Sequence, residues 1–264
     1  MDFDHPSALC HKLAAGKLDV ALVSSFEFLR NPIYRIVDDV SISSDGPVYS
    51  VVVAHRGKIA EIEEIELDPA SETSANLLRC LVAELGFNPR SGSAGCHSAT
   101  GWIRRGERVV VGSSPEDGFA VANLPTTHNA RLLIGDQAIR FRQKYANEFS
   151  FWDLGEHWQK HFGLPFVYAL WLVRPEVADP KQIANRLRHL RDENLVRLNH
   201  IIEDVVAAVD DQWKGVDREF LSRYYREHLR FRFGQKEQEG LRIFANLCIK
   251  HGLLPMRDLA FRVV

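Results

Sequence analysis

Along the first two thirds of the chain the apolar positions switch repeatedly between helical and strand spacing. "DHPSALCHKLAAG" sets its apolar residues three and four apart. That predicts a helix opened by Asp4 or Ser7 and closed by Gly16. "DVALVSS" follows as a strand, giving a helix-then-strand unit with a short connection, as α/β folds use. "YRIVDDVSIS" and "VYSVVVAH" read as two further strands with the turn "SDGP" between them. The acidic "KIAEIEEIE" is helix-like, and "IEEIELD" reads as a short strand. An apolar-periodic helix then starts near Thr73 in "ELDPASETSANLLRCLVAEL". Residues 86 to 129 are rich in Gly, Ser and Pro and hold one clear strand, "RVVVGS". "ARLLIGDQAIRF" is a buried strand, a Gly-Asp turn and a new helix. "FSFWDLGEHWQKHFGLPFVYALWLVRPE" holds a short amphipathic helix, a Gly-Leu-Pro break and a long apolar strand.

Beyond Pro175 the strand signals stop. "PKQIANRLRHLRDENLVRLNHIIEDVVAAVDDQW", "DREFLSRYYREHL" and "QKEQEGLRIFANLCIKHG" all read as helical. Two places let the chain cross between two bodies: the stretch after "VYSVVVAH" and the strand "FVYALWLV". The pattern therefore predicts a discontinuous first lobe, residues 1–54 and 169–264, with residues 55–168 inserted as a second lobe. Ligands of such folds lie in the cleft, at the carboxyl ends of strands and the N-termini of helices.

Composition narrows the chemistry. The 264 residues suffice for two compact lobes with a substantial core. A formal net charge of −2 gives no basic field, so no nucleic-acid partner is expected. No apolar run reaches the length of about 18 residues that a membrane span needs, so no membrane partner is expected either. The opening "MDFDHPSALCHKL" carries acids and no apolar core, so no secretion signal is read there. The four cysteines are scattered without a CxxC, which fits a reduced, cytoplasmic setting. The histidines form no HExxH, and the two Cys-His pairs, at 10–11 and 96–97, lack the context of a zinc site. "GSAGCHSATG" lacks the Lys-Ser/Thr end of a phosphate-binding loop, and there is no GxSxG elbow. No metal and no cofactor is expected, and the cleft of the two-lobed reading is where a small-molecule ligand would lie.

The candidate contacts for that ligand are hydroxyls. Ser71, Thr73 and Ser74 crowd the start of a helix, whose unpaired backbone N–H groups carry partial positive charge. One of them is enough to cap the helix. The same arrangement also seats a carboxylate or phosphate. Ser24 and Ser25 end the strand "DVALVSS", either in the cleft or as a cap before "FEFL". Ser50 follows the turn "SDGP", as a site residue or as filler in a half-buried strand. Gly135 and Asp136 end another strand. There Asp136 reads most simply as the cap of the next helix, while Gly135 would let a ligand approach the backbone. Trp152, Trp158 and Trp171 read as core, and "RLRHLR" as a solvated helix face.

Taken as a set, "LDVALVSSFEFLRNP", "VSISSDGPVYSVVV", "LDPASETSANLL", "LLIGDQAIR" and "DLGEHWQKHFGLPFVYALWLVR" resemble the chorismate dehydratases of the futalosine route to menaquinone. The order is the same, most of residues 4 to 175 are covered, and the later "FRFG" is compatible. The resemblance implies an α/β fold of the two-lobed, type II periplasmic-binding-protein kind, with extra C-terminal helices, used as an intracellular enzyme. It implies loss of water from chorismate to give 3-[(1-carboxyvinyl)oxy]benzoate. Carried over residue by residue, it makes Ser50 the catalytic residue. It makes Ser71, Thr73 and Ser74 the carboxylate seat, and Gly135 and Asp136 the contribution of the second lobe. Members of the family begin with a strand and an Asn-bearing loop, and the "FLRNP" of this chain is a different segment. The resemblance thus implies either a start placed late or a truncated form. A non-catalytic protein of the same fold that binds a small carboxylate is the alternative reading.

Overall fold

The computed structural model describes residues 4, 6–59, 62, 65–68, 71–85, 130–208 and 216–264. Their strands fall into two three-stranded sheets. In the first, β6 (Phe166–Val173) lies between β1 (Val20–Ser24) and β2 (Arg35–Ser44) and is antiparallel to both. In the second, β3 (Val51–His55) lies between β4 (Ala130–Ile134) and β5 (Ser150–Asp153), again antiparallel to both. The central strands are apolar runs, "VVVAH" and "FVYALWLV", as expected for strands covered on both faces. The division drawn from the pattern at 54/55 falls inside β3, and that at 168/169 inside β6. Each strand pairs along its length within a single sheet.

The helices cover these sheets. Helix α1 (Pro6–Ala14) ends at Gly16, whose φ of 72° suits a residue without Cβ. It packs on β1, which continues directly into α2 (Ser25–Arg30). Helix α3 (Glu72–Glu84) buries Leu77, Leu78, Leu81 and Val82. After β4 comes α4 (Gly135–Lys144), and after β5 comes α5 (Leu154–Phe162). Strand β5 had no counterpart in the pattern reading, because four residues with exposed Ser150 leave no alternation to detect. The strand "RVVVGS" lies outside the described residues.

The long helical stretch after Pro175 divides at Arg197 into α6 (Pro180–Val196) and α7 (Leu198–Ala208). Helix α8 (Arg218–Arg223) runs into one π-helical turn, Tyr224–His228, and α9 (Gln235–Lys250) follows. Helix α9 packs on β6 and α3: its Cys248 lies 3.8 Å, sulfur to sulfur, from Cys80 of α3, both as buried thiols. Cysteines that look scattered in sequence are thus neighbours in space. The basic run "RLRHLR" also departs from a solvated face. Arg188 donates to the carbonyls of Asp38 and Val264, and Arg191 to the carbonyl of Phe231 and the carboxylate of Asp39. Arg188 thereby fastens Val264 against β2, where the Val264 N–H donates to the Ile36 carbonyl and the Ile36 N–H to the Arg262 carbonyl, while Arg191 ties Asp39 of β2 to Phe231. Among the tryptophans, Trp158 is fully buried, while Trp152 and Trp171 are half-buried.

Candidate active site

The hydroxyls singled out from the sequence separate into two groups. The first joins the end of β1 to the start of α3. Thr73 Oγ1 lies in hydrogen-bond contact with Ser24 Oγ, and 3.3 Å from Ser25 Oγ. It also accepts the N–H of Phe26 at 3.1 Å. That amide is one of the unpaired donors of α2. Ser24 occupies the N-cap position but makes no side-chain cap bond, so Thr73 performs the capping from 47 residues away in sequence. Ser25 Oγ donates to the carbonyl of Val167 on β6 at 2.7 Å. Ser24, Ser25 and Thr73 are all buried.

Within α3 the division of labour is sharper than the sequence allowed. Ser71 is the N-cap and accepts the N–H of Ser74 at 3.2 Å. The same hydroxyl donates to Ser74 Oγ at 3.0 Å. One residue of the three is therefore the cap. A second bonds back to it, and the third, Thr73, reaches the end of β1. In this structure the hydroxyls of the expected carboxylate seat are engaged by protein groups. A pocket of about 140 Å³ opens beside α3, with Leu67, Asp68, Glu72, Asn76 and Arg79 in its wall. Of the predicted residues it touches Ser71 and neither Thr73 nor Ser50.

The second group surrounds Ser50, just ahead of β3. Its N–H donates to the carbonyl of Val48 at 2.7 Å, and its own carbonyl accepts the N–H of Gly135 at 2.7 Å. Its hydroxyl accepts from the Tyr224 phenol at 2.8 Å. Ser50 is 4% exposed and Tyr224 9%. Gly135 has φ 56°, and a Cβ placed on it would meet nothing within 4 Å. A residue other than glycine would be strained by that backbone rather than by crowding. Asp136 corrects the sequence reading. The N-cap of α4 is Ile134, and Asp136 sits in the first turn as an exposed side chain. Its charge is felt at Tyr224 and Tyr225.

Tyrosines supply what the sequence reading missed. Burial, Tyr225 and Asp136 push the Tyr224 phenol up to about 12, against a smaller lowering by Ser50, so it stays protonated and donates. Burial raises the Tyr225 phenol too, with Asp136 adding to it. Burial holds Tyr168 well above the usual range as well, while its hydroxyl lies 3.1 Å from Ser44 Oγ. Tyr49, next to Ser50, has φ 66°, a left-handed conformation uncommon for a bulky side chain. It is held from two sides. The Phe220 ring lies 5.0 Å away and the Arg142 guanidinium 4.1 Å above its ring. The buried Asp153 carboxylate accepts the N–H groups of Val48 at 3.1 Å, Tyr49 at 2.7 Å and Glu156 at 3.0 Å. Asp153 thus caps α5 and fixes the turn that carries Ser50. The "YY" at 224–225 was visible as helix, yet no spacing rule ties it to a serine 174 residues earlier.

Similarity to known proteins bears on both the fold and the site. The chain is 29% identical over 258 residues to the chorismate dehydratase of Thermus thermophilus, covering 91% of this chain and 83% of that protein. In three dimensions it is similar to protein AF1704 of Archaeoglobus fulgidus, at a TM-score of 0.65 and 19% identity over 96% of this chain and 86% of that one. It is also similar to the periplasmic aliphatic sulphonate binding protein SsuA of Escherichia coli, at a TM-score of 0.59 and 12% identity, covering 98% and 78%. These likenesses show the fold: an α/β structure of the periplasmic-binding-protein kind. Residues 2–111 and 104–250 match the family model for menaquinone biosynthesis, and with that coverage the chain belongs to this family.

Proposed function

We infer that this protein is a chorismate dehydratase, a carbon–oxygen lyase that converts chorismate to 3-[(1-carboxyvinyl)oxy]benzoate and water on the futalosine route to menaquinone. One observation carries the reading: the 29% identity to a chorismate dehydratase extends over 91% of the chain. We place the reaction in the cytoplasm, as suits a biosynthetic step. We take the first lobe as the sheet β1–β6–β2 with its helices and the second as β4–β3–β5 with α3, α4 and α5. The chain then crosses outward between Ser44 and Val51 and returns between Phe162 and Phe166.

The reaction removes a proton from one ring carbon and hydroxide from its neighbour. The C–H electron pair becomes the new ring double bond as the C–O bond breaks, and the proton and hydroxide leave as water. Formation of the aromatic ring drives it. Chorismate carries two carboxylates, and we assign proton acceptance to one of them, held in place by the protein. Catalysis is then mainly positioning and electrostatic stabilisation. Ser50 keeps its proton and donates a hydrogen bond to the departing hydroxyl or to a carboxylate, and the ring proton taken up by the substrate carboxylate passes to the departing hydroxide to complete the water. The hydroxyls of Ser24, Ser25, Thr73, Ser71 and Ser74, with the α3 amides, hold a carboxylate once the contact between Ser24 and Thr73 parts. Gly135 offers an open backbone approach beside Ser50, and Asp136 borders it.

The test is to mix the protein with chorismate and follow the absorbance of the aromatic product. A hydrogen bond to a charged group contributes about 1.5–3 kcal/mol. Ser50→Ala should therefore slow turnover roughly 10- to 150-fold. Wild-type turnover in that variant would remove Ser50 from the mechanism. Binding of chorismate with no product would mark a binding protein of the same fold.

A further inference from the structure

We propose that Tyr224 is the positioning residue for Ser50: its phenol fills one lone pair of the serine oxygen and so turns the serine O–H toward the ligand. The proposal rests on the dehydratase reading above and adds a residue from the C-terminal helices to that site.

Ser50 has three groups that could wander, and two are fixed by backbone. Its N–H is bound to Val48 and its carbonyl to Gly135. What remains is the orientation of the hydroxyl. A serine hydroxyl has one proton and two lone pairs, and the proton rotates to suit its neighbours. A phenol is the better donor of the two because it is the more acidic, and Tyr224 approaches Ser50 Oγ at 2.8 Å as donor. With that lone pair taken, the serine proton points away from Tyr224. Were the serine to donate inward instead, it would have nothing left to offer a departing hydroxyl.

The surroundings of Tyr224 hold it to this task. Its ring stacks on Phe220 at 5.9 Å with 11° between the planes, and Tyr225 meets it edge-on at 5.2 Å. Tyr224 opens the π-helical turn, where the Leu229 N–H returns to the Tyr224 carbonyl at 3.0 Å. Such single π turns are rare and occur often at functional sites, because they shift side chains out of ordinary helical register. Here the shift falls at the residue whose hydroxyl reaches across to the β3 turn. A tyrosine serving only to fill the core would not need its oxygen placed on a serine beside the open face of Gly135.

The experiment is a double-mutant cycle on the full chain, with Ser50→Ala, Tyr224→Phe and the pair, reading steady-state turnover of chorismate. Phe keeps the stacked ring and removes only the oxygen, and an unchanged near-ultraviolet circular dichroism spectrum checks the fold. Tyr224→Phe is expected to lower kcat about 5- to 20-fold with KM within about twofold. The double variant should match Ser50→Ala within about twofold, because the phenol acts only through the serine. Losses that multiply, or a Tyr224→Phe protein that loses its fold, would mark a purely structural tyrosine and overturn the proposal. A slow Ser50→Ala beside a wild-type Tyr224→Phe would overturn it alone. A wild-type protein that makes no product, or a Ser50→Ala as fast as wild type, would remove the dehydratase reading and this inference with it.

Discussion

Replacing Asp153 by alanine should destabilise the protein by about 3–5 kcal/mol. Its carboxylate is 5% exposed and accepts three backbone N–H groups. The bond to Glu156 is a helix N-cap, whose loss typically costs about 1 kcal/mol. The bonds to Val48 and Tyr49 are charge-assisted, at about 1.5–3 kcal/mol each. Val48 is fully covered, so its amide gains no water when the carboxylate goes. Tyr49 and Glu156 are half-buried and recover part of the loss. That recovery trims the sum to the lower range given. Tyr49 keeps its contacts with Phe220 and Arg142, so the strain of its left-handed backbone, worth about 1–2 kcal/mol, is only partly released. Ser50 is the next residue, so turnover of chorismate should fall along with stability. Urea unfolding followed by circular dichroism measures the first effect, with the midpoint shifting at constant slope. A shift equivalent to less than about 1 kcal/mol would mean that water replaces the carboxylate freely, and the account of the turn would be wrong.

Gly240→Ala opposes intrinsic propensity to packing. Alanine gains about 1 kcal/mol over glycine in a helix. However, its Cβ would stand 2.1 Å from the carbonyl oxygen of Pro165, a backbone atom that cannot swing away. Overpacking of this kind costs about 1–3 kcal/mol, and we expect the clash to win, with Tm falling by up to about 8 °C. A thermal melt at or above the wild-type Tm would refute this. Tyr224 should also shape alkaline stability. Its folded pKa of about 12 exceeds the ordinary 10.0, so its contribution is whole below pH 10 and is lost as pH rises through about 12. The loss is on the order of 3 kcal/mol. The urea midpoint of the wild type should therefore fall between pH 10 and 12 relative to that of Tyr224→Phe. Parallel curves would show that the phenol titrates normally.

The sequence by itself determined the elements whose apolar spacing is strong and local. Strands β1, β2, β3, β4 and β6 and helices α1, α3, α5 and α9 follow from period and punctuation, because burial on one face or two leaves a repeat in the residues themselves. It also marked Ser24, Ser25, Ser50, Thr73 and Gly135 as residues at element ends, where polar groups stand beside unpaired backbone. Tertiary structure alone decided how those residues divide. Thr73 caps a helix 47 residues away, and Ser50 takes its partner from a tyrosine 174 residues later. Asp153, a single acid at the end of a four-residue strand, holds the strained Tyr49. Arg188 and Arg191 turned from an apparent solvated stripe into fasteners, Arg188 of Val264 and Arg191 of Asp39 on β2. A hydrogen bond between distant segments leaves no period and no spacing in either of them. Its geometry exists only after the two sheets and α9 have packed, so the partners of a hydroxyl are settled by the fold and not by its neighbours in the chain.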